Sequence, residues 1–361
     1  MNVGNIRAIA FYLPQYHPIP ENDIWWGKGF TEWTNVSKAK KYFPGHYQPR
    51  IPADLGYYDL RVAETRQAQV DMAKEHDIEG FAYWHYWFGN GKQLLEGPFN
   101  EVLKSGEPNF PFCLSWANET WKGFHHGLTN RNVLIEQLYP GAEDIEKHFY
   151  EVLPAFLDKR YITVQDKPLF TILQPLLIPD AKAFIEQWQN LAIKNGLKGI
   201  YFVGQSNKFE DINKILEASF DAVNINRLFD FLRLKKSLPS IALNLVKSKI
   251  FGVPHVYDFG NASKFFTGKE DSDTNCIPTI ISGWDHSPRS GKNGLVLHKA
   301  TPELFEQHVI DIFQKVKHKP SDERIVFIKS WNEWAEGNYL EPDMKYGTGF
   351  LEAFKRAVLK C

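Results

Sequence analysis

Short runs of apolar and aromatic residues recur along the chain at 6–13, 79–87, 110–116, 168–173, 199–204, 222–225, 277–281 and 325–331. These eight runs read as strands. Several of the stretches between them mix apolar and charged residues at mostly helical spacing: 59–76 with Asp59 as its cap, 180–195, 210–218 and 302–317. Pro302 after Thr301 reads as a first-turn proline behind its capping residue. Strands and helices alternating in that number fit a (β/α)8 barrel, with an open doubly wound sheet as the competing architecture. No internal repeat, low-complexity tract or linker marks a boundary, so one domain over residues 1–361 is the simplest reading. The segment 235–264 is basic and aliphatic in patches, with no clean period. It reads as a loop or short helix inserted over the barrel mouth.

In a barrel, reactive residues belong at the C-terminal ends of strands and in the loops that follow. The first run leads into Pro14-Gln15-Tyr16-His17-Pro18, then Trp25-Trp26 and Phe30-Thr31-Glu32-Trp33. The second ends in Tyr83-Trp84-His85-Tyr86-Trp87, and the third in Ser115-Trp116-Ala117-Asn118-Glu119. The seventh ends in Gly283-Trp284-Asp285-His286, and the eighth in Trp331-Asn332-Glu333-Trp334-Ala335-Glu336-Gly337. Four strand ends thus carry Trp beside a polar or ionisable group. Tyr16, His17, Trp33, Trp84, His85, Trp116, Asn118, Glu119, Trp284, Asp285, Asn332 and Trp334 are the candidate substrate contacts. His85 serves equally well as a hydrogen-bonded wall residue, and Glu119 reads as a residue orienting a sugar hydroxyl or as a third acid.

Two carboxylates three residues apart between indoles suit glycoside chemistry. One acid protonates a leaving oxygen, one carboxylate acts on the other side of an oxocarbenium-like transition state, and indole faces stack on a pyranose. On a helical turn, residues at i and i+3 lie about 5 to 6 Å apart at Cβ, close to the roughly 5 to 5.5 Å carboxyl separation of retaining glycosidases. On an extended strand they would face opposite ways. The chain must therefore leave strand geometry near Asn332.

Composition narrows the partners. Forty-two basic against 43 acidic residues give a formal charge of −1, no footprint for nucleic acid or an anionic membrane. Aromatic residues make up 15% of the chain, more than one core usually demands, so many are expected to line a cleft. Cys113, Cys276 and Cys361 lie far apart, without the spacing of a zinc site or a disulfide framework. No HExxH or similar cluster suggests another metal, and no cofactor is expected. No stretch is long and apolar enough to span a membrane, and the first residues lack the basic-then-apolar pattern of a signal peptide; a cytoplasmic location is the expectation. Gly89-Asn90-Gly91-Lys92 lacks the spacing of a phosphate-cradling loop, and Asp285-His286 has no G-x-S-x-G elbow to complete a triad.

The run Ser330-x-Asn332-Glu333-Trp334-x-Glu336-Gly337, with Glu341 following, resembles the signature of glycoside hydrolase family 99, the endo-α-mannosidases. Together with the segments 11–18, 29–33, 81–87 and 116–119, it is similar over nearly the whole chain to the WbsX-like proteins of bacterial surface-polysaccharide biosynthesis. The resemblance implies a (β/α)8 barrel, no metal, and a retaining, endo-acting mechanism through a 1,2-anhydro sugar. In it Glu333 is the base toward the sugar 2-hydroxyl, and Glu336 is the acid that then activates water. Ala335 stands where family 99 enzymes typically carry histidine, which bears on mannose specificity more than on the chemistry. An oligosaccharide or polysaccharide is the expected partner. Two further readings stay open: a glycosyltransferase of O-antigen or capsule assembly, and a carbohydrate-binding barrel without turnover.

Overall fold

The computed structural model describes residues 6–123, 132–234 and 249–361. Eight parallel strands carry the architecture: β1 (Arg7–Tyr12), β2 (Gly80–Trp87), β3 (Phe112–Trp116), β4 (Lys167–Ile172), β5 (Tyr201–Ser206), β6 (Ala222–Ile225), β7 (Cys276–Ile281) and β8 (Ile325–Lys329). Each pairs with its neighbour in chain order. β1 closes the ring by pairing with both β2, where Tyr12 faces Tyr83, and β8, where Ala10 faces Ile328. Closure through β1 excludes the open doubly wound sheet and leaves a barrel without free edges.

The strands are nearly continuous apolar runs because both faces are covered. Inside, Phe11 stacks on Phe327 and on Trp84, each at 4.9 Å between ring centres. The opposite interior wall is polar: Gln205 Nε2 donates to Ser115 Oγ and Thr171 Oγ1, both at 2.9 Å, and Asn224 Nδ2 donates to Thr279 Oγ1 at 2.9 Å. These side chains satisfy one another, which lets a polar wall stand inside the barrel.

Outside the ring lie α1 (Ala63–Glu75), α2 (Gly97–Ser105), α3 (Ala142–Phe156), α4 (Ala181–Lys194), α5 (Ile212–Glu217), α6 (Pro302–Val316) and α7 (Gly349–Lys360). Much of the aromatic content is spent between this layer and the strands, which corrects the expectation that the aromatic excess lines a cleft. Trp188 of α4 is fully buried and packs on Phe170 and Phe184 at 4.9 Å, while Trp87, Trp331 and Trp334 are also fully buried. A ring that fills the wedge between a curved barrel and a helix buries more apolar area than any aliphatic side chain could.

Asp59 does not cap α1. Its carboxylate binds the backbone and guanidinium of Arg61, and the helix begins at Ala63. Of the segment 235–264, residues 235–248 lie outside the described residues. The rest includes the strand His255–Asp258, which pairs with Leu295–His298, and the short helix Phe259–Ala262. These elements bury Phe259 and Leu297 in a cluster with Trp284, so they brace the loop after β7.

Thr301 Oγ1 accepts from Leu304 N at 3.4 Å ahead of Pro302, as the sequence indicated. Thr301→Ala is expected to lower stability by about 1 kcal/mol, measured by urea denaturation.

Candidate active site

β8 ends at Lys329, and the next turn is built so that its acids point inward. Asn332-Glu333 pairs antiparallel with Asn338-Tyr339, and the 3-10 turn Trp334–Glu336 closes between them. Gly337 follows at φ +61°, where a Cβ would meet Asp285 Cβ at 2.7 Å, so only glycine fits. The chain thus leaves strand geometry at the place the acid pair requires.

Four of the candidate substrate contacts hold this turn. The Asn332 amide accepts from Leu13 N at 2.7 Å and donates to Leu13 O at 3.0 Å, tying β8 to the end of β1. The Tyr16 hydroxyl donates to Asn332 O and accepts from Trp334 N. Trp33 donates its indole N–H to Tyr58 O at 2.8 Å, and Trp334, only 1% exposed, donates to Glu341 Oε2 at 2.6 Å while stacking on Tyr339 at 3.8 Å. These rings are structural walls of the turn.

One guanidinium links three carboxylates. Arg289, on the short helix Ser287–Ser290 after β7, places Nε 2.9 Å from Glu32 Oε1, Nη1 2.7 Å from Glu336 Oε1 and Nη2 3.7 Å from Glu333 Oε2. Lys329 Nζ adds a contact to Glu336 Oε2 at 3.3 Å and lies over the Trp284 ring. Burial acts to raise the Glu336 carboxyl, but Lys329 and Arg289 overcome it and hold Glu336 down to about 2. Burial, and then the charge of Glu336, push Glu333 up to about 7. Glu336 is therefore the anion and Glu333 the proton holder. Glu333 Oε2 is buried without a hydrogen-bond partner, and Arg289 Nη2 faces it at 3.7 Å.

A cavity of about 330 Å³ opens beside the pair. Phe11, Trp84, Trp284 and Phe229 supply rings, Gln205 and Asn224 supply amides, and Lys329 and Glu336 form the reactive wall. Glu119 lies close enough for the charge of Glu336, added to burial, to raise its carboxyl. Tyr86 feels Glu333, Arg289, Glu119 and Glu32.

Trp84, Trp284 and Glu336 thus line the cavity, and Glu119 and Glu333 lie within reach of the Glu336 charge. Asp285 lies behind the turn: its amide donates to Glu336 O at 2.6 Å and its carboxylate accepts from His46 and Gln48, both at 2.8 Å. Asn118 staples the loops after β3 and β4 through Gln174 and Tyr139. Three candidates lie elsewhere. His17 binds Pro14 O at 2.9 Å near the start of α2. His85 shares a 2.8 Å hydrogen bond with His148 of α3, and burial pushes it down to about 4. Trp116 packs on Phe184 and donates to Trp87 O at 2.9 Å.

Arg289, Lys329, Glu32 and Tyr86 were not among the residues singled out. Lys329 was readable, because it shares its strand face with Phe327, two residues earlier, which stacks on the interior Phe11. Arg289 had no such signal: it lies on a four-residue helix far from the motif. Among the described residues, no group of three or more His, Cys, Asp or Glu could hold a metal ion. No helix among them is long and apolar enough to cross a membrane.

The family model described as "Glycosyltransferase WbsX" matches residues 8–354. Two Xanthomonas campestris pv. campestris proteins, from strains B100 and ATCC 33913 and each described as "Uncharacterized protein WxcX", are 37% identical to the chain over 356 residues. The alignment covers 98% of this chain and 49% of theirs, so the chain spans about half the length of these relatives. Among solved structures, the GH99 endo-alpha-mannosidase from Bacteroides thetaiotaomicron in complex with bis-tris propane superposes with a TM-score of 0.60 at 14% identity, over 99% of this chain and 97% of that one. A glycoside hydrolase-like protein gives 0.59 at 13% identity, over 98% and 94%. At these identities the likeness establishes the (β/α)8 fold.

Glu341 accepts from Trp334 Nε1 at 2.6 Å, Tyr58 Oη at 2.8 Å and Gln69 Nε2 at 2.6 Å, all buried. Glu341→Ala strands three donors and is expected to cost about 3 kcal/mol, read as a lower denaturation midpoint.

Proposed function

The chain belongs to the glycosyltransferase WbsX family, and from that premise we propose that it is a retaining, endo-acting carbohydrate-active enzyme that cleaves an α-linked bacterial polysaccharide or oligosaccharide. The observation that carries the reading is the pair Glu333 and Glu336, set around Arg289 beside a cavity lined by rings and amides, with the Glu333 carboxyl pushed up and Glu336 held down. Acid and base catalysis requires that state.

Glu333 receives the sugar 2-hydroxyl. Its proton passes to Glu336 as the sugar binds: the hydroxyl donor stabilises the Glu333 carboxylate, and sugar oxygens draw on the N–H groups of Lys329 and Arg289 that stabilise Glu336. Glu333 then takes the 2-hydroxyl proton as that oxygen attacks the anomeric carbon, and Glu336 protonates the departing oxygen. A 1,2-anhydro sugar results. Water attacks the anomeric carbon, giving its proton to Glu336, while Glu333 returns its proton to the 2-oxygen. Two inversions give net retention. The family's description supports a second reading, in which a sugar hydroxyl replaces water and the same pair performs transfer.

Product NMR with α-mannosyl and related bacterial oligosaccharides, without nucleotide sugar, tests this. Retained configuration is expected, with Glu333→Gln and Glu336→Gln each losing about 10²- to 10⁴-fold in rate. An activated aryl leaving group should restore the first step of Glu336→Gln and not that of Glu333→Gln. Wild-type rates in both variants would sink the proposal.

The free enzyme should lose kcat/KM as pH rises past about 7, where the pair gives up its proton. Lys329→Met removes a cation that holds Glu336 ionised, so the acid limb of the pH–rate profile is expected to move upward. An unmoved limb would refute the pairing.

A further inference from the structure

A second cavity, also about 330 Å³, lies among the loops after β1, β7 and β8 and shares no lining residue with the cleft. It reaches Gly337, the residue after Glu336, and carries an excess of positive charge. Arg50, Lys299 and Lys345 line it against two acids, Asp285 and Asp343. Both acids are already occupied. Asp285 accepts from His46, Gln48 and Ser287 N, and Asp343 accepts from Tyr339 Oη, Lys345 N and Tyr346 N.

The cations keep donors to offer. Arg50 Nη1 donates to Gly337 O at 3.3 Å, whereas its Nε is buried with no partner. Lys345 Nζ lies 4.9 Å from the Tyr47 ring centre and 4.5 Å from that of Tyr346, which leaves ammonium hydrogens for an acceptor. Two long helices start at the cavity: α6 directly after the lining residue Thr301, and α7 at Gly349, next to the lining residue Phe350. Their N-termini add positive potential to the side chains. The Arg50 guanidinium lines the cavity, and a carboxylate or phosphate is the acceptor that such a fork fits best.

We infer that this cavity is a subsite for an anionic sugar residue, bearing a carboxylate or a phosphate, and that Arg50 and Lys345 select for it. The sugar component rests on the proposed function; the charge preference rests on the cavity alone.

Saturation-transfer NMR on the whole chain would use glucuronate, glucose 6-phosphate, glucose and inorganic phosphate as probes. At least one of the two anionic sugars is expected to bind, and to bind more tightly than either glucose or phosphate; which one does so tells carboxylate from phosphate recognition. Lys345→Gln and Arg50→Gln should each weaken that binding by about tenfold, and Glu336→Gln should bind as the wild type does even though turnover is lost. Lys345 is exposed, so its variant remains informative if Arg50→Gln fails to fold. Binding of neither anionic sugar would overturn the inference. So would phosphate binding as tightly as the phosphosugar, or anion binding that survives Lys345→Gln and is lost in Glu336→Gln. None of these results would touch the proposed chemistry, which is read by turnover alone.

Discussion

The contact on which the site depends is the Arg289 guanidinium set among Glu32, Glu333 and Glu336. With Lys329, two cations face three carboxylates, of which Glu32 and Glu333 are buried and Glu336 is half-buried at the wall of the cleft. Burying unbalanced charge is costly, and one proton on the trio brings the cluster to formal neutrality. The proton settles on Glu333 because Glu336 touches both cations closely, whereas Glu333 meets Arg289 only at 3.7 Å. An acid and a base of the same residue type, three positions apart, thus arise from the unequal placement of two cations.

The cluster is assembled from distant parts of the chain, and the barrel brings them together. Glu32 comes from the loop after β1, Arg289 from the loop after β7, and Lys329 with both acids from β8 and its turn. Closure of β1 onto β8 makes those loops neighbours, and the Asn332 clamp on Leu13 fixes their spacing. The buried Tyr16, Trp33, Tyr58 and Trp334 then exclude water from behind the turn.

The strands were legible because each is an apolar run, and their edges differ from the sequence reading by at most two residues. The acid pair was legible from its spacing. The direction of the aromatic and histidine side chains was not, as the second strand shows: Trp84 reaches the cavity while its neighbour His85 meets His148 on the outside. Adjacent strand residues face opposite ways, so both could not serve one cleft. Tryptophans near the acids suggest sugar platforms, but an indole N–H needs a partner when buried. Trp33, Trp116 and Trp334 find theirs in Tyr58, Trp87 and Glu341. Arg289 and the second cavity depend on tertiary approach, which no local pattern encodes.

Neutron diffraction on crystals held at a pD between the two ionisations would locate the proton shared by Glu333 and Glu336. A deuteron is expected on the Glu333 carboxyl and none on Glu336, with Arg289 and Lys329 fully charged. A deuteron on Glu336 with none on Glu333, or deuterons on both or neither, would contradict that placement.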